Sequence, residues 1–312
     1  MNTAGPFVGL LLVLFLFWLD ADVRPFLFTG ANFKIILIQT VIVALGALGM
    51  TMIIISGGID LSVGSVVAFT GVVGAKLLVA GWGPWSTTAA VLLGGALIGL
   101  INGTVIAGLR MMPFIVTLGT MGMVRGAAKW LSGKQTVNNP ENSPVNHLMA
   151  RLGPREFFPL PPGVWIAIAL AIVMAVVLRR TVFGRHIFAI GSNEATARLC
   201  GVRVPWMKLR IYALAGLFFG LAGLMQLSRL TQGDPTVAFG LELDIIAAVI
   251  IGGGSLTGGR GTVAGTIIGA AIMTIIQIGC SQKGLANWVQ QIVTGGIIVA
   301  AVALDRVRST RT

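Results

Sequence analysis

Apolar runs recur from one end of this chain to the other, and that pattern leaves few solvents in which it can fold. Ten stretches stand out, at approximately 4–19, 34–55, 63–80, 85–109, 113–131, 162–178, 206–227, 241–254, 261–279 and 285–304. A helix that crosses the hydrocarbon core of a bilayer needs about 20 such residues. Within that core each backbone polar group must find its partner in the same segment, which selects helices. Only 10% of the residues are charged, against about 25% in a soluble domain. So few charges cannot cover a water-exposed surface. The expectation is an all-α integral membrane protein of about ten transmembrane helices, forming a single domain over 1–312. The first and eighth stretches are short. Phe7–Leu19 lacks a basic leader and an A-x-A site, so it reads as a retained first helix rather than a signal peptide.

Charge orients the chain. There are 22 Lys and Arg against 10 Asp and Glu, a net +12. The basic residues gather in short segments beside apolar runs, as the positive-inside rule describes. No basic patch with interleaved aromatics exists, which argues against nucleic acid as a partner. Placing both termini inside puts Arg110, Arg179, Arg180, Arg185, Arg198, Arg203, Lys208, Arg210, Arg260, Arg306, Arg308 and Arg311 in the cytoplasm. Arg24, Lys34, Lys134, Arg151, Arg155, Arg229 and Lys283 then fall outside. The loop over about 179–205 is thereby cytoplasmic, and the Asn- and Pro-rich segment over about 132–161 is periplasmic. Cys200 and Cys280 land on opposite sides with neither CxxC nor metal-ligand spacing, so no disulfide and no metal site are expected.

Three glycine-punctuated motifs interrupt the spans. In SGGIDLSVGS, Gly57 and Gly58 should break the second helix. Two readings of the residues after that break stay open. Asp60 or Ser62 caps the next helix, or an interrupted helix carrying Ser56, Asp60 and Ser62 lines a solute path. Asn102, Gln226 and Gln277 are further polar candidates for that path. In GGGSLTGGRGTVAG the pattern Gly259-x-Gly261-x-x-Ala264 formally matches a dinucleotide fingerprint. It lies between apolar helices instead of after a β-strand, so it is rejected. Gly261, Gly265 and Gly269 are expected to pack one helix face closely on a neighbour. Gly95, Gly99 and Gly103 repeat the same spacing, and GTVIAG at 103–108 resembles GTVAG at 261–265. These echoes would suit a pseudo-repeat of two halves.

The third motif, GSNEATARLCGV over Gly191–Val202, lies in the basic loop. Ser192 or Asn193 can cap a short helix, Glu194 suits its N-terminal dipole, and Arg198 pairs with Glu194 at i,i+4. Gly201 can close the helix in a left-handed turn, and Pro205 stops any continuation. Local order of this kind in a loop between spans reads as a contact surface or as a plain surface helix. Catalysis finds no support. His147 and His186 lie in different loops, no HExxH or Ser/His/Asp arrangement exists, and Gly133-Lys134 is followed by Gln135 instead of the Ser or Thr of a Walker A sequence. No cofactor is expected.

SGGIDLSVGS, NGTVIAGLRMMPFIVTLGTMGMVRG at 102–126, GSNEATARLCGV and IIGGGSLTGGRGTVAG together resemble the permease subunit of bacterial ribose-type ABC importers, whose close relatives carry other monosaccharides and the autoinducer-2 sugar derivative. The resemblance spans about residues 30–304. It implies a homodimeric permease in the bacterial inner membrane, surrounded by lipid and served by a cytoplasmic ABC ATPase and a periplasmic sugar-binding protein. It also implies that Gly191, Ser192, Asn193, Glu194, Arg198, Gly201 and Val202 belong to the coupling helix that inserts into the ATPase. Cys200 departs from the pattern, where a larger apolar residue is expected. The competing reading is an ion-coupled secondary transporter of a small polar solute. Such proteins place ionisable groups near the bilayer midplane, and the acidic candidates Asp60, Glu242 and Asp244 all fall near expected helix ends. An intramembrane enzyme is disfavoured by the missing catalytic set.

Overall fold

The computed structural model describes residues 4–149 and 160–309. Its helices run α1 (Ala4–Leu19), α2 (Arg24–Leu27), α3 (Gly30–Ile55), α4 (Val63–Val79), α5 (Pro84–Gly108), α6 (Pro113–Ser132), α7 (Pro162–Arg180), α8 (Val182–Ser192), α9 (Glu194–Leu199), α10 (Val204–Leu230), α11 (Leu241–Ile251), α12 (Val263–Gln282) and α13 (Asn287–Ser309). Each of the ten apolar stretches is therefore a helix. Among the described residues, strand pairing is confined to β1 (Val137–Asn138) against antiparallel β2 (Gln232–Gly233), which ties two connections together.

Helix boundaries follow local chemistry. Proline stands in the first turn of α5, α6, α7 and α10, where its missing N–H costs nothing. Pro205 stands in the first turn of α10, after α9 has ended at Leu199. Thr29, Thr181 and Thr262 cap α3, α8 and α12 by accepting from the backbone N–H groups of Asn32, Gly184 and Gly265. Five helices, α3, α5, α7, α10 and α12, are individually long and apolar enough to cross a bilayer, and α1 and α4 are shorter apolar helices. The protein is an all-α membrane protein.

Burial separates enclosed helices from outer ones. Most of α3 and α10 is enclosed, whereas about a third or less of the apolar window of α5 and α7 is buried. The exposed faces carry Leu93, Leu97, Ile172 and Val176, as lipid contact requires. Tryptophans ring one end. Trp18, Trp82, Trp85, Trp130, Trp165 and Trp288 are all exposed and sit at or beside helix ends on that side, the placement of an interfacial aromatic belt. The opposite, basic end bears α8, α9 and most of the basic residues.

Glycines set the closest helix contacts. A Cβ on Gly95 would lie 2.3 Å from the Gly216 carbonyl oxygen, and one on Gly99 would lie 2.1 Å from that of Tyr212. Thus α5 and α10 touch backbone to backbone. Gly265 and Gly269 do the same for α12 on α11, where a Cβ would meet the carbonyl oxygens of Gly252 at 1.8 Å and Ala248 at 1.9 Å. Gly261 does not share that face. It precedes α12 and abuts the Ile55 side chain. The sequence echo also falls differently from the repeat it suggested, since 103–108 ends α5 whereas 261–265 opens α12.

Two elements begin deep inside the bundle. After α3 ends at Ile55, residues 56–62 double back, so that Val63 at the start of α4 lies beside Gly46. Gly46 is nine residues before Ile55, about 13 Å along the helix axis. From the far side, residues 231–240 run down α4, with Gly233 against Ala75 and the Ala238 carbonyl oxygen against Gly64. Hence α11 also starts at that inner level, where Ile245 packs on Gly46.

Candidate functional site

At the basic end a short helix is built for display. Asn193 caps α9, its Oδ1 accepting from the Thr196 N–H at 2.9 Å. Glu194 then accepts from Arg198 at 3.0 Å and from Lys208 of α10 at 2.7 Å. The Lys208 ammonium, with Arg198 beside it, holds the Glu194 carboxyl below its ordinary value. Gly201 closes the helix at φ +86°, its N–H donating to the Arg198 carbonyl and that of Val202 to the Ala197 carbonyl. Ala197 and Val202 are buried, and so anchor the helix, while Leu199 is 88% exposed. Cys200 is exposed with a free thiol. The 191–202 segment is therefore not one helix. Gly191 and Ser192 are the last turn of α8, and only Glu194–Leu199 forms α9. Beside them a groove of about 730 Å³ is lined by Arg110, Met111, Glu194, Arg198, Val202 and Lys208.

Gly191 has a different task from display. A Cβ there would lie 1.7 Å from the Ile55 carbonyl oxygen and 2.5 Å from the Gly259 nitrogen. Those two atoms are hydrogen-bonded to each other at 2.8 Å. Gly258 and Gly259, at φ +89° and +72°, in turn lie against Gly191 and Ser192. Three backbones thus meet at one point: the end of α3, the end of α8 and the turn between α11 and α12. Any side chain at residue 191 would force them apart.

A polar cluster lies deeper. Asp60 Oδ1 accepts from the Ser62 N–H at 2.8 Å and the Ser62 hydroxyl at 2.6 Å. Asn102 Nδ2 donates to Ser62 Oγ at 3.1 Å and to Asp60 Oδ2 at 3.4 Å, and the Thr120 hydroxyl donates to Asn102 Oδ1 at 2.6 Å. Thr117 accepts from the Leu61 N–H and donates to the Ile59 carbonyl. All these side chains are buried. Asp60, rather than Ser62, holds the turn into α4, because the Ser62 hydroxyl is spent on Asp60. The other polar candidates lie elsewhere. Ser56 closes on the Ile53 carbonyl, Gln277 donates to Asp244 at 2.6 Å, and Gln226 is buried near the far end of α10. Among the described residues, no group of three or more His, Cys, Asp and Glu could hold a metal ion.

Known proteins place this arrangement. Residues 32–302 match the family model described as the branched-chain amino acid transport system / permease component. The chain belongs to that permease family. It is 38% identical to the ribose import permease protein RbsC of Escherichia coli strain K12, over 95% of this chain and 92% of that one. Identity is also 38% with RbsC of Bacillus subtilis strain 168, over 99% and 94% of the two chains. With the L-arabinose ABC transporter permease protein AraH of Azospirillum brasilense it is 36%, over 99% and 88%. No solved structure matches. As a permease subunit the protein is not an enzyme. ATP hydrolysis belongs to a separate ATPase, and the permease is a multi-pass protein of the bacterial inner membrane.

Several residues of the permease's site escape sequence reading. Lys208 completes the ion-pair network from 14 positions beyond Glu194, and Thr117 and Thr120 approach the Asp60 strap from another helix. Only Leu199 had a legible signal, as the one large apolar residue of α9. The two acidic residues of α11 lie near a helix end, as expected, but that end is inside the bundle. Their sequence position was therefore no argument against an intramembrane role.

Proposed function

We propose that the chain is the membrane-spanning subunit of an ATP-driven importer and forms the path for a monosaccharide such as ribose or arabinose. The observation that carries this reading is identity of 36–38% with ribose and arabinose permeases over nearly the whole chain. It is supported by a capped, ion-paired helix that presents Leu199 at the basic end. In this reading the protein is one ten-span domain over 1–312 with both termini in the cytoplasm. The basic loop 179–205 is cytoplasmic and the 132–161 segment faces a periplasmic sugar-binding protein; its residues 150–159 lie outside the described structure.

Glu194–Leu199, anchored by Asn193, Gly201 and Val202, is the coupling helix that docks in the ATPase. Gly191 and Ser192 join it to α3 and to the α11–α12 turn. Two copies of the permease in lipid complete the channel. Asp60, Ser62 and Asn102 hold the doubled-back connection that borders the path. The test is reconstitution of permease, ATPase and binding protein in proteoliposomes. Ribose or arabinose uptake that requires ATP and resists proton and sodium ionophores is expected. Uptake driven by an ion gradient without ATP would overturn the reading.

A further inference from the structure

The inner starts of α4 and α11 face each other, and what lies between them is not explained by packing. A Cβ on Gly64 would sit 2.3 Å from Glu242 Oε2 and 2.4 Å from the Ala238 carbonyl oxygen. The carboxylate therefore stands directly against the first turn of α4. The opening N–H groups of a helix have no acceptor within it, and they form the positive end of its dipole. Glu242 is only 8% exposed. Its Oε1 accepts weakly from the Gly240 N–H at 3.3 Å, but Oε2 is buried with no hydrogen-bond partner.

The strap that brings Glu242 there is held under constraint. Arg125 of α6 donates to the carbonyl oxygens of Val237 at 2.6 Å and Pro235 at 3.1 Å. Ala238 adopts φ +60° and Gly240 φ +85°, the former a conformation that a residue with a Cβ resists. Strain and an unsatisfied buried acceptor at one point mark a functional position.

We propose that Glu242 and the first turn of α4 form the contact point for a neutral polyhydroxylated solute inside the permease. The inference rests on the sugar-import reading and names its intramembrane site. A sugar hydroxyl both donates and accepts. The free Oε2 takes its proton, while the opening N–H groups of α4 donate to its oxygen. An anionic solute is excluded by the carboxylate, and a bare cation is disfavoured by the positive end of α4 and by Arg125.

The test uses the full complex in proteoliposomes with D-ribose, L-arabinose and 2-deoxy-D-ribose as probes. Uptake of neither parent sugar by the unaltered complex would refute the sugar reading itself, before any variant is made. Glu242→Gln keeps the shape and removes the charge. It should cut uptake about tenfold or more, the effect of weakening one hydrogen bond to a charged acceptor. It should also narrow the preference for ribose over its deoxy analogue, while ATPase recovery with the permease is unchanged. Gly64→Ala should give the same pattern, because its methyl group displaces Oε2. Normal uptake with unchanged preference in Glu242→Gln would overturn the proposal, as would sodium-dependent uptake lost with the carboxylate. Failure of both variants to accumulate would assign the contact to folding and equally overturn it.

Discussion

Replacing Gly191 by alanine tests whether the end of α8 transmits movement or merely carries a loop. The added methyl group would lie 1.7 Å from the Ile55 carbonyl oxygen and 2.5 Å from the Gly259 nitrogen. It would wedge between the two partners of a 2.8 Å backbone hydrogen bond. Losing that bond costs about 0.5–1.5 kcal/mol, and forcing an extra methyl group into a packed contact costs about 1–3 kcal/mol. The two effects together destabilise the junction by roughly 2–4 kcal/mol. The rest of the display helix is spared, since α9 keeps its own cap, ion pairs and anchors. A bundle with a global stability of about 5–15 kcal/mol survives it.

In the reconstituted complex the variant should therefore retain ATPase binding and ATP hydrolysis while sugar uptake falls severalfold. The comparison is Gly201→Ala, which meets no neighbour but must adopt φ +86°. It should perturb the turn after α9, and so reduce ATPase recovery. Uptake at the parent rate in Gly191→Ala, with unchanged thermal stability of the purified permease, would refute the reasoning.

Gly265→Leu should abolish accumulation or assembly, because a side chain there meets the Gly252 carbonyl oxygen at 1.8 Å; normal membrane levels and dimerisation would count against the α11–α12 contact. Glu194→Arg removes both ion pairs and places like charges at i,i+4, effects of about 0.3–1 kcal/mol each at such a site. Uptake and ATPase recovery should drop with folding intact, and parent-like transport would leave α9 a plain surface helix. The Glu194 carboxyl titrates below its ordinary value, so its ion pairs stay intact above that ordinary value. They are lost only as the pH falls through the lowered one, and ATPase recovery in pull-downs at stepped pH should follow that course. For topology, a cysteine at exposed Glu141 should react from outside and one at Thr310 from inside, on a Cys-free background. Asn139 is a poor probe, being buried and hydrogen-bonded to Asn146. Labelling of both from one side would sink the ten-span arrangement.

The ten helices were legible because a run of apolar residues is a local property, although their lengths differ from 11 residues in α11 to 27 in α10. The capped helix in the basic loop was legible for the same reason: Asn193, Glu194, Arg198 and Gly201 act within a few residues of each other. The polar cluster around Asp60 was only half legible. Asp60, Ser62 and Asn102 do meet, but Thr117 and Thr120 come from a further helix, whereas Gln226 and Gln277 go elsewhere.

What the sequence by itself determined is the solvent, the class of fold, the approximate places of ten helices and the local order of α9. Tertiary structure alone decided depth and company. Two connections double back into the bundle, so that α4 and α11 begin inside it and Gly64 meets Glu242. Likewise Ile55, Gly191 and Gly259 converge from three distant segments. The physical reason is that a glycine in the sequence announces freedom and missing bulk but not its neighbour. Which backbone fills that missing volume is settled only when the whole bundle closes around it.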